Sequence, residues 1–301
     1  MDNYKLLVAN LGFNRVKLDE PLAPFTYIKV GGSADILYIS NNKDELSYAV
    51  KLARKLQIPF TILGCGGNVL ISDKGIRGLV IINRSNYIKF LTNGFLEVDS
   101  GVTMTELIKE TTDRLYTGLE RMLKVPATVG GAVVMNAGHT AKKEFFGDLV
   151  VSVEVLNQNS EIKKIMKKDC NFSYRASRFQ TSNEIILGVM LHLEKVDKKV
   201  IEEKVRDILV IKQIQPAGPT MGSTFRNPEG FSAGFLLDEA GLKGKQVGSA
   251  KISEKHANFI INTGSAKATD IQKLMELMKE KVRSKFNIEL VEEIKLVGDW
   301  G

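Results

Sequence analysis

The sequence is poor in the residue types that build metal centres and disulfide frameworks. Its 301 residues include three histidines and two cysteines, and Cys65 and Cys170 show neither CxxC spacing nor a companion histidine cluster. We therefore expect no metal site and interpret both cysteines as reduced thiols. No apolar run approaches the roughly 20 residues that span a membrane, and the start, MDNYKLLVANLG, lacks the plan of a signal peptide. These absences favour a cytoplasmic protein without membrane insertion.

Positive charge is in excess but is not concentrated. The net charge of +7 would suit nucleic acid, a membrane surface or an anionic small molecule. The densest basic cluster, KKIMKK at 163–168, has no interleaved aromatic residues. A nucleic-acid platform is therefore poorly supported, and no obligate protein partner is evident. We expect most of these charges to be solvated and a minority to meet an anionic ligand.

Strand and helix patterns alternate along the first two thirds of the chain. Residues 34–40 predict a strand, and 44–57 predict a helix with Asp44 as its N-cap. The pattern changes near the charge-rich stretch EKVDKKVIEEKV, where we place a boundary at about residue 197. The predicted domains are 1–83, 84–197 and 198–301, with the strand near 289–298 as a candidate to pack back on the first.

Two glycine-rich segments predict a site for an anion. LGCGGN at 63–68 follows a strand, and VPATVGGAVVMNAG at 125–138 lies about sixty residues later. Glycines let backbone N–H groups approach a phosphate closely. Val69 stands where a dinucleotide fingerprint needs a further glycine, so that motif is not met. Each segment alone could be a tight turn or a packing point; together they suit a diphosphate held from two sides.

The stretch MGSTFRNPEG, residues 221–230, predicts a loop that carries Ser223. Asn227-Pro228 and Glu229-Gly230 are turn-forming pairs. A serine on such a loop is commonly only solvated or capping. Its interpretation therefore depends on the rest of the chain.

Seven motifs follow one another over residues 25 to 298: YIKVGGSADI, LGCGGNVLISD, GLERMLKVPATVGGAVVMNAG, NFSYRASRF, MGSTFRNPEGFSAGFLLDEAGLKG, ISEKHANFIIN and FNIELVEEIKLVG. In this order they resemble the UDP-N-acetylenolpyruvoylglucosamine reductase family. The resemblance implies an α+β fold with a two-lobed FAD-binding region of the vanillyl-alcohol-oxidase (PCMH) type and a C-terminal α+β substrate-binding domain. It also implies a cytoplasmic flavoenzyme of peptidoglycan precursor synthesis, which reduces a UDP-sugar enolpyruvyl ether with non-covalent FAD and with NADPH as co-substrate.

The resemblance also implies roles for individual residues. Arg175 would steady the enolpyruvyl group, Ser223 would donate a proton, and Glu293 would be the carboxylate beside the substrate. Glu292 is adjacent, and because neighbours on a strand point to opposite faces, only one of the two can enter the site. The substrate would also be contacted by Tyr174, Asn227 and Lys212, and FAD would be bound by Gly64, Gly66, Gly67, Asn68, Thr128, Gly130 and Gly131.

Some residues depart from the family pattern, and two other functions compete. The family usually has serine at Gly67 and glycine at Ala127, which puts FAD affinity in question. Few cations precede Pro216, so Lys212 would be alone in meeting a phosphate.

A flavin oxidase of the same fold commonly has a histidine tether where this chain has Cys65, and a UDP-sugar-binding module would not need the set of Arg175, Ser223 and Glu293. His256 is interpreted as packing or capping.

Overall fold

The computed structural model describes residues 2–139 and 143–301 of the chain. Within these residues, helices and mostly short strands mix along the chain, which confirms the predicted α+β class. The α-helices are α1 (Asn3–Leu11), α2 (Lys43–Lys55), α3 (Met104–Thr112), α4 (Val129–Val134), α5 (Lys198–Lys212), α6 (Ala233–Glu239) and α7 (Ala268–Phe286). The strands are β1 (Val16–Pro21), β2 (Ser33–Ser40), β3 (Phe60–Leu63), β4 (Val69–Ile71), β5 (Ile76–Asn83), β6 (Ile88–Phe90), β7 (Phe95–Asp99), β8 (Tyr116–Thr117), β9 (Gly138–His139), β10 (Glu144–Phe145), β11 (Val150–Leu156), β12 (Ile162–Met166), β13 (Ile185–His192), β14 (Glu194–Lys195), β15 (Thr220–Ser223), β16 (Gln246–Val247), β17 (Ala250–Ile252), β18 (Phe259–Asn262) and β19 (Lys295–Val297).

The chain folds into two compact units. Unit 1 comprises Met1–Val16, Tyr38–Cys65 and Ile81–Lys212, and unit 2 comprises Lys17–Leu37, Gly66–Val80 and Gln213–Gly301. The last change from unit 1 to unit 2 falls between residues 212 and 213, whereas the sequence predicted a boundary at about residue 197. Helix α5 belongs to unit 1 because it packs against the 3-10 turn Glu120–Met122 and buries Ile201 and Ile208. The division into 1–83, 84–197 and 198–301 stays a prediction.

Unit 1 is built around an antiparallel sheet of five strands in the order β12-β11-β13-β7-β6. Strands β11 and β13 are buried along most of their length, and α2 and α4 both pack against β13. Helix α2 begins one residue earlier than predicted. Its N-cap is Asn42 rather than Asp44, because the Asn42 side chain accepts the Glu45 amide at 2.8 Å.

Unit 2 has its own core under the antiparallel sheet β15-β18-β17-β16. Helix α7 contributes a stripe of buried side chains spaced three or four residues apart, among them Ile271, Leu274 and Met278, and it packs against β16, β17 and α6. The Asp73 carboxylate caps the start of α7 by accepting the amides of Ala268 and Thr269 at 2.8 and 3.0 Å.

Two further pairings complete the sheet topology. Strands β1, β2, β5 and β3 form a four-stranded sheet in that order, and β19 pairs in parallel with β4, with Lys295 opposite Val69. The long strand predicted over 289–298 was wrong in extent, since only Lys295–Val297 form β19. The stretch before β19 is held instead by hydrogen bonds of Val291 and Glu293 and by a bridge between Glu292 and Phe225.

Candidate active site

The first glycine segment, residues 64–68, joins β3 to β4 as predicted, and Gly64 and Gly66 leave no room for a side chain. Gly66 has φ +60°, and a β-carbon there would collide with the Phe25 carbonyl. A β-carbon at Gly64 would overlap the Thr128 side chain, at 2.8 Å from its Cγ2. The two segments predicted to hold one diphosphate therefore meet, at Gly64 and Thr128.

The second glycine segment contains the short helix α4 and is not merely a tight turn or a packing point. Thr128 is the N-cap, and its Oγ1 accepts the Gly131 amide at 3.3 Å, while the Gly130 amide donates to the Ser100 carbonyl at 2.8 Å. Both glycine amides are thus used within the chain rather than left for a phosphate. Gly131 is nevertheless exposed, and a β-carbon there would meet only Thr128 Oγ1 at 3.6 Å. An open, side-chain-free surface therefore lies beside the Thr128 hydroxyl.

An open cavity of about 970 Å³ lies in unit 1 beside β3. Its walls include Pro59–Ile62 on one side and the segment from Phe179 to Ile185 on another. Strand β3 runs from this wall directly into Gly64. The cavity is large enough for a nucleoside-sized group. No sequence pattern predicted this cavity. In the structure, three of the four residues of β3 are only half-buried.

In unit 2 the parallel pairing of β4 and β19 brings Asn68 beside Glu293. Asn68 lies just before β4 and Glu293 just before β19. Because the two strands are parallel, their N-terminal ends lie side by side. The Asn68 Nδ2 group donates to the Glu293 carbonyl at 3.1 Å, and the Lys295 amide donates to the Asn68 carbonyl at 3.0 Å. Asn68, which is predicted to bind FAD, is therefore hydrogen-bonded to the backbone of Glu293, the predicted catalytic residue.

Ser223 is placed next to this junction. The Glu293 amide donates to the Thr224 carbonyl at 2.8 Å, and Phe225 and Glu292 form an antiparallel bridge. Ser223 itself ends β15, opposite Phe259 of β18, so our prediction that it lies in a loop was wrong. Gly222, with φ +75°, lies where the register of β15 shifts, as in a β-bulge.

The two adjacent glutamates have different surroundings. The Glu292 carboxylate pairs with Lys279 Nζ at 2.8 Å. Burial raises the pKa of Glu292, but the hydrogen bond and charge of Lys279 outweigh it and hold that pKa below its usual value. Glu292 is thus held in an ion pair with Lys279 of α7, and the assignment of the catalytic carboxylate to Glu293 stays a prediction.

Arg175 and Tyr174 lie together in unit 1. The Ser173 and Ala176 amides each donate to the other residue's carbonyl, at 3.1 and 3.2 Å, so Arg175 lies within a tight turn with φ +54°. The guanidinium carbon is 5.9 Å from the centre of the Tyr174 ring. Such a conformation is uncommon outside glycine and often marks a functional residue.

Lys212 is half-buried at the end of α5. Burial, and after it the positive charges of Arg175 and Lys124, lower the pKa of the Lys212 ammonium. Lys124 thus adds to the positive charge around Lys212, and the expectation that Lys212 alone meets a phosphate stays a prediction. No sequence signal marked Lys124, which lies between the apolar residues Leu123 and Val125.

The remaining polar candidates have structural contacts. Asn227 Oδ1 accepts the Ala233 amide at 3.0 Å at the start of α6. His256 Nδ1 accepts the Asn258 amide at 3.2 Å, and burial lowers the pKa of this histidine. Over residues 2–139 and 143–301 no group of three metal-ligating side chains occurs, and no helix is long and apolar enough to cross a membrane.

Two ranges of the chain match models of known protein families. Residues 34–166 match the FAD-binding domain model, and 214–297 match the model of the C-terminal domain of UDP-N-acetylenolpyruvoylglucosamine reductase. The reductases of Caldanaerobacter subterraneus subsp. tengcongensis and Synechococcus sp. are 38% and 39% identical, over 95% of this chain and 94% and 92% of theirs.

A solved structure shares the fold. The crystal structure of UDP-N-acetylenolpyruvylglucosamine reductase from Thermus caldophilus has a TM-score of 0.79 and 32% identity, and covers 93% of this chain and 97% of the other. The fold and the matched domains define an FAD-dependent oxidoreductase with a PCMH-type flavin domain. The chain belongs to the UDP-N-acetylenolpyruvoylglucosamine reductase family, and the predicted family is confirmed.

Proposed function

We propose that this enzyme uses NADPH to reduce UDP-N-acetylglucosamine enolpyruvate to UDP-N-acetylmuramate in peptidoglycan precursor synthesis. The observation that carries the proposal is the junction of Asn68, Thr224 and Glu293. Its hydrogen bonds link Asn68 of the FAD loop to the Glu293 carbonyl, and the Glu293 amide to the Thr224 carbonyl beside Ser223. An acid and a base beside a cofactor loop are what a reductase of a polarised double bond needs.

FAD fits the glycine segments and the adjoining cavity. In this proposal Gly64, Gly66, Gly67 and Asn68 would hold the pyrophosphate from one side, and the Thr128 hydroxyl would donate to it from the other. Gly130 and Gly131, whose amides are bonded within the chain, would contribute a surface without side chains. The contact between Gly64 and Thr128 and the open surface at Gly131 support this placement. The cavity beside β3 would take the adenosine end. Bound FAD, once reduced by NADPH, would supply the hydride.

The cations of unit 1 would bind the substrate. Arg175 presents a planar, permanently charged guanidinium that suits a carboxylate, and Lys212 is a compact charge that suits a phosphate. Tyr174 and Asn227 would add hydrogen bonds to the sugar nucleotide. Arg175 would hold the enolpyruvyl carboxylate while negative charge builds up next to it.

Ser223 and Glu293 would manage the proton. When hydride adds to the terminal carbon of the double bond, negative charge develops on the carbon that carries the carboxylate. The Ser223 hydroxyl would donate its proton to that carbon, and Glu293 would stabilise the proton network around it. A serine is a weak acid, but a carbanion-like centre is basic enough to take its proton.

The glycine surface can be tested by filling it. We expect Gly131→Val to fold and to lose flavin on purification, because the new side chain would occupy the open surface beside Thr128. Valine at Gly66 is less informative, since it would also collide with the backbone. The measurement is the ratio of bound flavin to protein, read from absorbance.

Two variants serve as controls for this prediction. Gly131→Ala tests the position with a smaller side chain, and Gly264→Val adds a valine where a β-carbon would meet nothing within 4 Å. Gly264→Val should retain flavin. Full flavin retention by Gly131→Val would contradict the placement.

The two glutamates form a matched pair of variants. We expect Glu293→Gln to slow flavin re-oxidation by the enolpyruvyl sugar by about 10–100-fold and to leave reduction by NADPH unchanged. Glu292→Gln should affect neither half-reaction and should cost about 0.2–1 kcal/mol of stability, since it breaks a partly exposed ion pair. Rapid mixing and thermal unfolding measure these effects. The reverse pattern would assign the chemistry to Glu292.

A further inference from the structure

Two other cations of unit 1, Arg175 and Lys124, act on the half-buried Lys212. The groups that shift the Lys212 pKa are burial, Arg175 and Lys124, and no carboxylate is among them. Among the described residues, neither Lys212 nor Lys124 has an ion pair within 4.0 Å. A half-buried ammonium that faces further cations is unfavourable unless an anion joins them.

The backbone fixes the two lysines next to each other. Lys212 ends α5, which packs against the turn Glu120–Met122, and Lys124 follows that turn by two residues. The Leu123 and Val125 amides donate to the carbonyls of Glu120 and Met122 at 2.9 and 3.0 Å, so the chain around Lys124 is tied to the same turn.

Lys124 is exposed and has φ +58°, in the region that favours glycine. A lysine with this backbone conformation lowers the folding stability of the protein relative to glycine at the same position. The Arg175 turn is tied to nearby α4, because Gln180 Nε2 donates to the carbonyls of both Val134 and Arg175 at 3.0 Å. The segments that carry Lys124 and Arg175 are thus each fixed by hydrogen bonds.

We propose that Lys124 is a second phosphate-binding residue, which acts with Lys212 on a phosphate or diphosphate group of the enzyme's nucleotide substrates. This inference rests on the proposed function, because that function supplies two phosphate-bearing ligands: the UDP-sugar and NADPH. A phosphate's multiple charges would be shared by two compact ammonium groups, one half-buried and one exposed. The exposed Lys124 would be the solvent-side half of the site.

The test compares Lys124→Gly, Lys124→Arg and Lys89→Ala in the flavin-loaded protein. Glycine suits the positive φ and removes the charge, so Lys124→Gly should fold with an unchanged or higher melting temperature. Arginine retains the charge. Lys89 is an exposed lysine of β6 in the same unit that does not act on Lys212, so its variant controls for the loss of one surface charge.

Calorimetric titration with UDP and with NADP⁺ distinguishes the two sources of phosphate. We expect Lys124→Gly to bind one of them about tenfold more weakly than the parent and with a shallower salt dependence, while Lys124→Arg and Lys89→Ala bind both normally. The nucleotide that loses affinity is the one that Lys124 contacts. Equal affinity of Lys124→Gly and the parent for both nucleotides would overturn the proposal.

Failure of the proposed function would look different. The parent itself would then bind neither UDP nor NADP⁺, and inorganic pyrophosphate would be the probe. About tenfold weaker pyrophosphate binding by Lys124→Gly than by the parent would still support the cationic site. Binding of pyrophosphate that is independent of Lys124 would overturn it.

Discussion

Replacing Ser223 with alanine is expected to slow hydride transfer to the enolpyruvyl sugar by about 10²–10⁴-fold, the usual effect of losing a general acid. Reduction of the flavin by NADPH should keep its rate, because that half-reaction needs no proton from this residue. The backbone of Ser223 pairs with Phe259 at the end of β15, so removal of one hydroxyl should leave the fold and flavin binding intact. Rapid-mixing measurement of the two half-reactions separates these effects.

Two control variants make the Ser223 result specific. Ser223→Cys retains a transferable proton and should recover part of the lost rate. Thr224→Val removes the neighbouring hydroxyl, which is buried and has no hydrogen-bond partner among the described residues. It should change neither half-reaction and should not lower the melting temperature, because an unsatisfied polar atom is lost. If the alanine variant re-oxidises within a few-fold of the parent, Ser223 is not the proton donor.

Replacing Arg175 with lysine is expected to reduce transfer to the sugar by about 10–100-fold, because the positive charge stays while the two-pronged contact to a carboxylate is lost. Reduction by NADPH should survive. Lysine can occupy the same tight turn at no greater backbone cost than arginine, so the fold should be retained. The measurement is again the rate of each half-reaction.

A nearby arginine shows what a purely structural loss looks like. Arg178 donates to both carboxylate oxygens of Glu184, at 3.0 and 3.1 Å. Arg178→Lys should lower the melting temperature and move the two half-reactions together. If Arg175→Lys behaves in the same way, Arg175 is structural rather than a substrate ligand.

Local patterns in the sequence predicted much of the fold. The patterns at 34–40 and 44–57 predicted β2 and α2, because a half-buried strand and an amphipathic helix each bury one face at a regular period. Helix α4 escaped prediction, since its two glycines indicate a turn. The Thr128 cap and the burial of Val129, Ala132 and Val133 outweigh the low helix propensity of glycine.

The geometry of the candidate site depends on contacts that sequence periodicity does not contain. The hydrogen bond from Asn68 to Glu293 joins residues 225 positions apart, and the Asp73 cap of α7 joins residues 195 apart. Motif resemblance pointed to Asn68 and Glu293 separately, and only the parallel pairing of β4 with β19 connects them. Lys124 was missed because the phosphate-binding role proposed for it depends on the packing of α5 against the turn Glu120–Met122, which precedes Lys124.

In the proposed reaction, this chain passes reducing equivalents from NADPH through FAD to an enolpyruvyl UDP-sugar. Anaerobic titration of the purified protein, followed by flavin absorbance, tests this order of transfers. We expect the yellow colour to bleach with NADPH and to return when UDP-N-acetylglucosamine enolpyruvate is added, with UDP-N-acetylmuramate formed in equal amount to the flavin re-oxidised. A flavin that NADPH does not bleach, or that oxygen re-oxidises while the enolpyruvyl sugar does not, would rule out the proposed reaction.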